Sequence, residues 1–137
     1  MENKLIIKSV VAAGLLSFTL ITPNHAKADS LQRLAENLCE YAKTDNRASM
    51  RKKLKGARMK LKAIYPGLIC GKAGSLMRVA VANDAMNAAK FIASKAGKKG
   101  LNGVEKDGKT ALQFTQDLVA AGDSSKQAFA DIIQAKM

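Results

Sequence analysis

The stretch "SLMRVAVANDAMNAAKFIASKAG", Ser75 to Gly97, decides the fold. At helical spacing it gives two helices, Ser75–Ala82 and Ala85–Ala96, broken at Asn83-Asp84, with Asp84 placed to cap the second. The same unit recurs in "KTALQFTQDLVAAGDSSKQAFADIIQ", Lys109 to Gln134. There Thr110 caps a helix over Ala111–Ala120, Gly122-Asp123 marks the break, and a second helix covers Ser125–Gln134. Ser124 and Gln127 have capping-box spacing, and Ala128, Phe129, Ile132 and Ile133 make the apolar face.

Working toward the N-terminus, "DSLQRLAENLCEYAK" sets Leu31, Leu34, Ala35, Leu38 and Ala42 on one helical face, with Ser30 as N-cap. The turn cluster Thr44–Asn46 ends it. A second helix, "RASMRKKLK", points Ala48, Met50 and Leu54 inward and ends at Gly56. A first helix pair therefore covers about residues 30–55, followed by pairs at about 75–96 and 110–134. In "ARMKLKAIY" the period changes. Ala57, Met59, Leu61, Ala63 and Tyr65 alternate with Arg58, Lys60, Lys62 and Ile64, which apart from Ile64 is the period of a half-buried strand. Pro66-Gly67 supplies a turn and "LIC" a return strand, so a short β-hairpin is expected over about 57–70. An irregular loop, or helix continued past Gly56, is the other reading of this segment. "GKKGLNGVEKDGK" reads as a glycine-rich connection with a turn at Asp107-Gly108.

Residues 1–28 read as a secretory signal peptide: Lys4 and Lys8, an apolar run from Val10 to Ile21, then Ala26-Lys27-Ala28. The run is too short to span a bilayer easily. Residues 29–137 then form one helical domain without a transmembrane segment, in the periplasm or outside the cell. Without Lys4, Lys8, Lys27 and Glu2 this domain holds 20 basic and 10 acidic side chains, a charge of about +10. The only histidine, His25, lies in the leader. Its loss excludes a Ser-His-Asp triad, a Cys-His pair and imidazole metal sites. Cys39 and Cys70 permit one internal disulfide in an oxidising compartment; an intermolecular bridge or two free thiols are the alternatives.

No acid occurs between Asp45 and Asp84, an interval that holds ten cations. Arg47, Arg51, Lys52, Lys53, Lys55, Arg58, Lys60 and Lys62 are the candidate anion- or partner-binding residues; Lys72 and Arg78 complete the set. The other reading is a solvated face that keeps an exported protein soluble. Only Tyr65 is aromatic within this segment, so a stacking platform for nucleic acid is absent. Glu105, Asp107 and Asp84 occupy turn positions whose backbone capping accounts for them, so no acid–base pair is expected.

Helix pairs set off near residues 37, 75 and 110, and "EKDGKTALQF", resemble ankyrin repeats, although Leu76 and Ala111 stand where that pattern has Pro, and Arg78 and Gln113 where it has His. The resemblance implies about three stacked helix-turn-helix units in a mainly α domain. The stretches "LCEYAKTDNRASMRKKLK" and "YPGLICGKAGSLMRVAVAN" are similar to an exported proteobacterial family of uncharacterised proteins, domain of unknown function 3718, through Cys39, Cys70, Gly74, Ser75 and Leu76. That similarity implies an envelope protein and brings no catalytic residue or cofactor. The expected function is a non-enzymatic exported binding module. Its partner would be an envelope protein, or an anionic envelope polymer or lipid headgroup met by the basic face.

Overall fold

The computed structural model describes residues 23–137. The signal-peptide reading of residues 1–28 lies largely outside the described residues. Seven α-helices follow: α1 (Pro23–Lys43), α2 (Arg47–Gly56), α3 (Leu61–Ile64), α4 (Leu76–Ala82), α5 (Met86–Leu101), α6 (Ala111–Ala120) and α7 (Gln127–Gln134). Three 3-10 turns, Tyr65–Gly67, Gly71–Ala73 and Ser124–Lys126, join them. The helices pair as α1–α2, α4–α5 and α6–α7. The first members also pack on one another (α1 on α4, α4 on α6), as do the second members (α2 on α5, α5 on α7). Leu34, Leu38, Met50, Leu76, Val81 and Ile133 lie in the buried core between the two layers. No described helix is long and apolar enough to cross a membrane.

The repeated turn has one geometry. Each first helix ends with a residue in the left-handed region: Asp45 (φ 56°), Asp84 (φ 55°) and Gly122 (φ 108°). The next amide then reaches back five residues: Asn46 N–H to the Tyr41 carbonyl, Ala85 to Ala80, Asp123 to Leu118. These bonds form a Schellman ending, which satisfies carbonyls that the helix leaves open. Aspartate tolerates this backbone better than most residues. The turn carboxylates then bind the next pair. Asp45 accepts the Ala88 amide at 2.7 Å and the Asn87 side-chain amide at 2.8 Å, so it caps α5 from the preceding pair. Asp84 accepts the ammonium of Lys126, at the start of the third pair's second helix, at 2.5 Å.

Asp84 is thus the end of α4 and a partner of Lys126, not the expected cap of α5. Lys126, itself buried, also donates to the Val81 carbonyl at 2.9 Å, where the negative end of α4 favours a cation. The capping box falls at Thr110 and Gln113 rather than at Ser124 and Gln127, because Ser124 opens a 3-10 turn. Gly56 is the last residue of α2; Arg58 (φ 54°) takes the left-handed position after it. Ala48 is exposed.

The expected β-hairpin over 57–70 is absent; among the described residues there is no strand, and one isolated bridge joins Ile69 to Ser75. The chain forms α3 and a 3-10 turn instead. Leu61 and Tyr65, the two inward residues, are four positions apart. A period of two and a period of 3.6 both bring such a pair to one face, so alternation over so short a run does not separate strand from helix. α3 packs on α5, where Tyr65 fills the space above Gly100. A Cβ at Gly100 would stand 2.8 Å from Tyr65 Cδ1, and the ring is 3% exposed. Gly100→Ala is therefore expected to destabilise by about 1–2 kcal/mol despite the helix propensity of alanine. Urea unfolding checks it, and a more stable variant would contradict this packing.

Candidate functional site: a cationic face beside a closed ion cluster

The eight cations from Arg47 to Lys62 are all exposed. Five project from α2, whose Met50 and Leu54 face the core; Arg58, Lys60 and Lys62 follow on the turn and α3. Among the described residues, none of the eight has a carboxylate at ion-pair distance. The face extends beyond the segment that the sequence marked. α5 packs on α2 and α3, and the Lys62 stem lies over Gly97, where the α5 backbone breaks (φ 76°, ψ 158°). α5 adds four exposed lysines, Lys90, Lys95, Lys98 and Lys99, and no acid. The signal for them was present, since no acid lies between Asp84 and Glu105. Lys98 and Lys99 were obscured because the glycine-rich stretch from Gly97 reads as a connection, whereas Lys90 and Lys95 lie in the expected helix Ala85–Ala96 and only its place beside α2 and α3 was not legible. The acids flanking this layer, Asp45 and Asp84, are engaged with α5 and Lys126 as described.

Arg78 leaves this set. Its side chain is 7% exposed, on α4 in the first-helix layer. It is held by the loop before α6. Nη1 donates to Asp107 Oδ2 at 2.7 Å, and Nη2 donates to Asp107 Oδ1 at 2.9 Å and to the Lys109 carbonyl at 2.8 Å. Nε lies 3.0 Å from Glu105 Oε1, close enough for charge attraction but without hydrogen-bond alignment. The guanidinium stacks 4.7 Å from the Phe114 ring centroid. Glu105 Oε2 also accepts the Ser75 amide at 3.0 Å. It enters space left by Gly74 (φ 90°); a Cβ there would collide with Oε2.

Glu105 and Asp107 therefore do more than cap a turn: they clamp an arginine across two helix pairs. The bidentate Arg78 bond holds the Asp107 carboxyl down at about 2. Asp107 in turn raises Arg78, and burial raises the Tyr65 hydroxyl. Both carboxylates are committed, so the cluster offers no free acid–base pair. Among the described residues no group of three or more His, Cys, Asp or Glu side chains is placed to hold a metal ion. Lys72 is exposed on the 3-10 turn before α4, apart from the α2 face.

Cys39 on α1 and Cys70 before the Gly71 turn form a disulfide, with 5.7 Å between their Cα atoms. The molecule is thus a mainly helical protein of three packed helix pairs tied by one disulfide, with an unpaired cationic face. Residues 38–110 match the family described as "Protein of unknown function (DUF3718)", and the chain belongs to that family. The match takes in both cysteines, the cationic face and the Arg78 clamp. No curated protein and no solved structure matches the chain.

Proposed function

We propose that this is an exported, non-enzymatic binding module of the cell envelope, which meets anionic polymers or lipid headgroups through the α2–α3–α5 face. The observation that carries the reading is the exposure, on neighbouring helices of one layer, of cations with no acid among them. A solvated face that served solubility alone would tolerate acids interspersed with the lysines. The leader, with its apolar run and Ala26-Lys27-Ala28, supports delivery to the periplasm or the medium. The three packed pairs support a degenerate ankyrin-like stack, an architecture that presents a broad surface on rigid helices. An envelope protein with an acidic patch is the second partner that the same face fits. Nucleic acid fits poorly, because Tyr65 is buried and the face carries no aromatic ring for base stacking.

The test is retention of the purified protein on envelope fractions across a salt series. Affinity should fall by at least about tenfold between about 50 and 200 mM salt, through screening and counterion release. The triple variant Arg51→Gln/Lys52→Gln/Lys55→Gln should show the same loss at low salt. Binding that survives both would remove the face from the function.

A further inference from the structure

A second surface lies where the segment before α4 meets the end of α5: a cleft of about 1050 Å³. Only three large apolar side chains stand out into solvent among the described residues, and two of them, Ile69 (48% exposed) and Val104 (67%), line this cleft. Tyr65, Leu101 and Ala111, all buried, contribute further apolar lining. Exposed apolar side chains grouped in a concavity mark a contact site more often than scattered ones do.

The polar lining divides into two kinds. Arg78, Glu105, Asp107 and the Ser75 amide consume one another's hydrogen bonds and charges. Lys72, Lys99 and Lys106 are exposed, and among the described residues no carboxylate pairs with them. The cleft thus offers apolar surface, the positive charge of the three lysines and the buried Tyr65 hydroxyl, which has no hydrogen-bond partner. An extended peptide brings an amide every residue and needs a continuous row of backbone partners, such as a sheet edge gives. An alkyl chain needs none, and a single anionic head answers the lysines.

We propose that this cleft binds a single-chain anionic amphiphile, its alkyl chain between Ile69 and Val104 and its head among Lys72, Lys99 and Lys106. The site differs from the α2 face, sharing only Lys99 with that cationic layer, and takes one molecule rather than a polymer. A lysophospholipid and a free fatty acid share the required chemistry. Myristate and lyso-phosphatidylglycerol, each kept below its micellar concentration, separate the two sources in calorimetric titrations.

Saturable one-to-one binding of either probe is expected, together with amide shifts around Ile69 and Val104 in NMR. Val104→Asp should weaken it at least about tenfold, through lost apolar contact and added repulsion. Lys72→Gln/Lys106→Gln should weaken the anionic probes and leave an uncharged alkyl maltoside unchanged. Arg51→Gln/Lys52→Gln/Lys55→Gln should leave the titration intact, so the cleft and the proposed polyanion face fail separately. Each variant changes exposed residues, and circular dichroism checks its fold. The proposal is overturned if neither probe binds, if Val104→Asp binds as well as the parent, or if the uncharged amphiphile binds as tightly as myristate. It is also overturned if a short acidic peptide displaces myristate and binds more tightly.

Discussion

Removing the disulfide, by reduction or as Cys39→Ser/Cys70→Ser, is expected to lower the melting temperature by about 15 °C. Cys39 and Cys70 close a loop with a sequence separation of 31. On the chain-entropy account that restraint contributes about 3.5–4 kcal/mol by narrowing the unfolded ensemble. For a domain of this size, each kcal/mol corresponds to about 4 °C. The bridge has local consequences too, because it ties α1 to the loop that leads into α4, and α1 packs on both α2 and α4. Amide exchange in α1 should therefore accelerate on reduction before exchange in α5 does. Calorimetry of oxidised and reduced protein decides the first point. A shift of only about 3 °C would mean that the unfolded chain is already confined or that reduction relieves native strain.

The second-largest effect belongs to a residue that sequence reading placed on the wrong surface, and the reason is general. Helix pairs, breaks and the disulfide are local or nearly local properties. Apolar spacing, Asn83-Asp84, Gly122-Asp123 and two cysteines with one possible internal pairing carry them. The fate of a charge is not local. Arg78 and Lys126 look in the sequence like any other cation, yet both are buried, and each is bonded by a carboxylate about thirty or more positions away. Asp45 and Asp84 look like turn formers, and they are, but each also reaches the next helix pair. Charge reading marked the α2 cations, and they stay exposed because nothing nearby neutralises them. It misjudged Arg78, because the neutralising residues arrive through the stack.

The hairpin misreading has a different origin. Between Gly56 and Pro66 the chain is too short for periodicity to resolve four-residue spacing from alternation. The packing of Tyr65 against Gly100 of α5 holds the segment in helical turns. That contact depends on a small residue 35 positions later in a stretch whose glycines otherwise signal a loop. The same reading of that stretch hid Lys98 and Lys99, which lie beyond Ala96 in the part of α5 read as a connection.

Arg78→Ala is expected to cost about 3 kcal/mol, whereas exposed cations such as Arg51 should cost under about 0.5. Removing the guanidinium strands Glu105, whose side chain is 13% exposed, and leaves Asp107, 46% exposed, to be satisfied by water. Glu105 therefore carries most of the penalty. Arg78→Met restores apolar contact with Phe114 but not the charge, so it should recover little. The triple variant Arg78→Met/Glu105→Gln/Asp107→Asn removes all three charges together and should regain most of the loss, the coupling signature of a buried network. The pH dependence gives an independent check. Asp107 is depressed from 3.8 to about 2 in the folded state, so the unfolded chain binds its proton first. The stabilisation is fully present above about pH 4 and is lost as pH falls toward 2. Acid unfolding of the parent should therefore show a steep limb in that window, and Arg78→Met should flatten it. An unchanged acid limb in Arg78→Met would mean that the clamp is geometric only, with stacking on Phe114 rather than charge joining the second and third helix pairs.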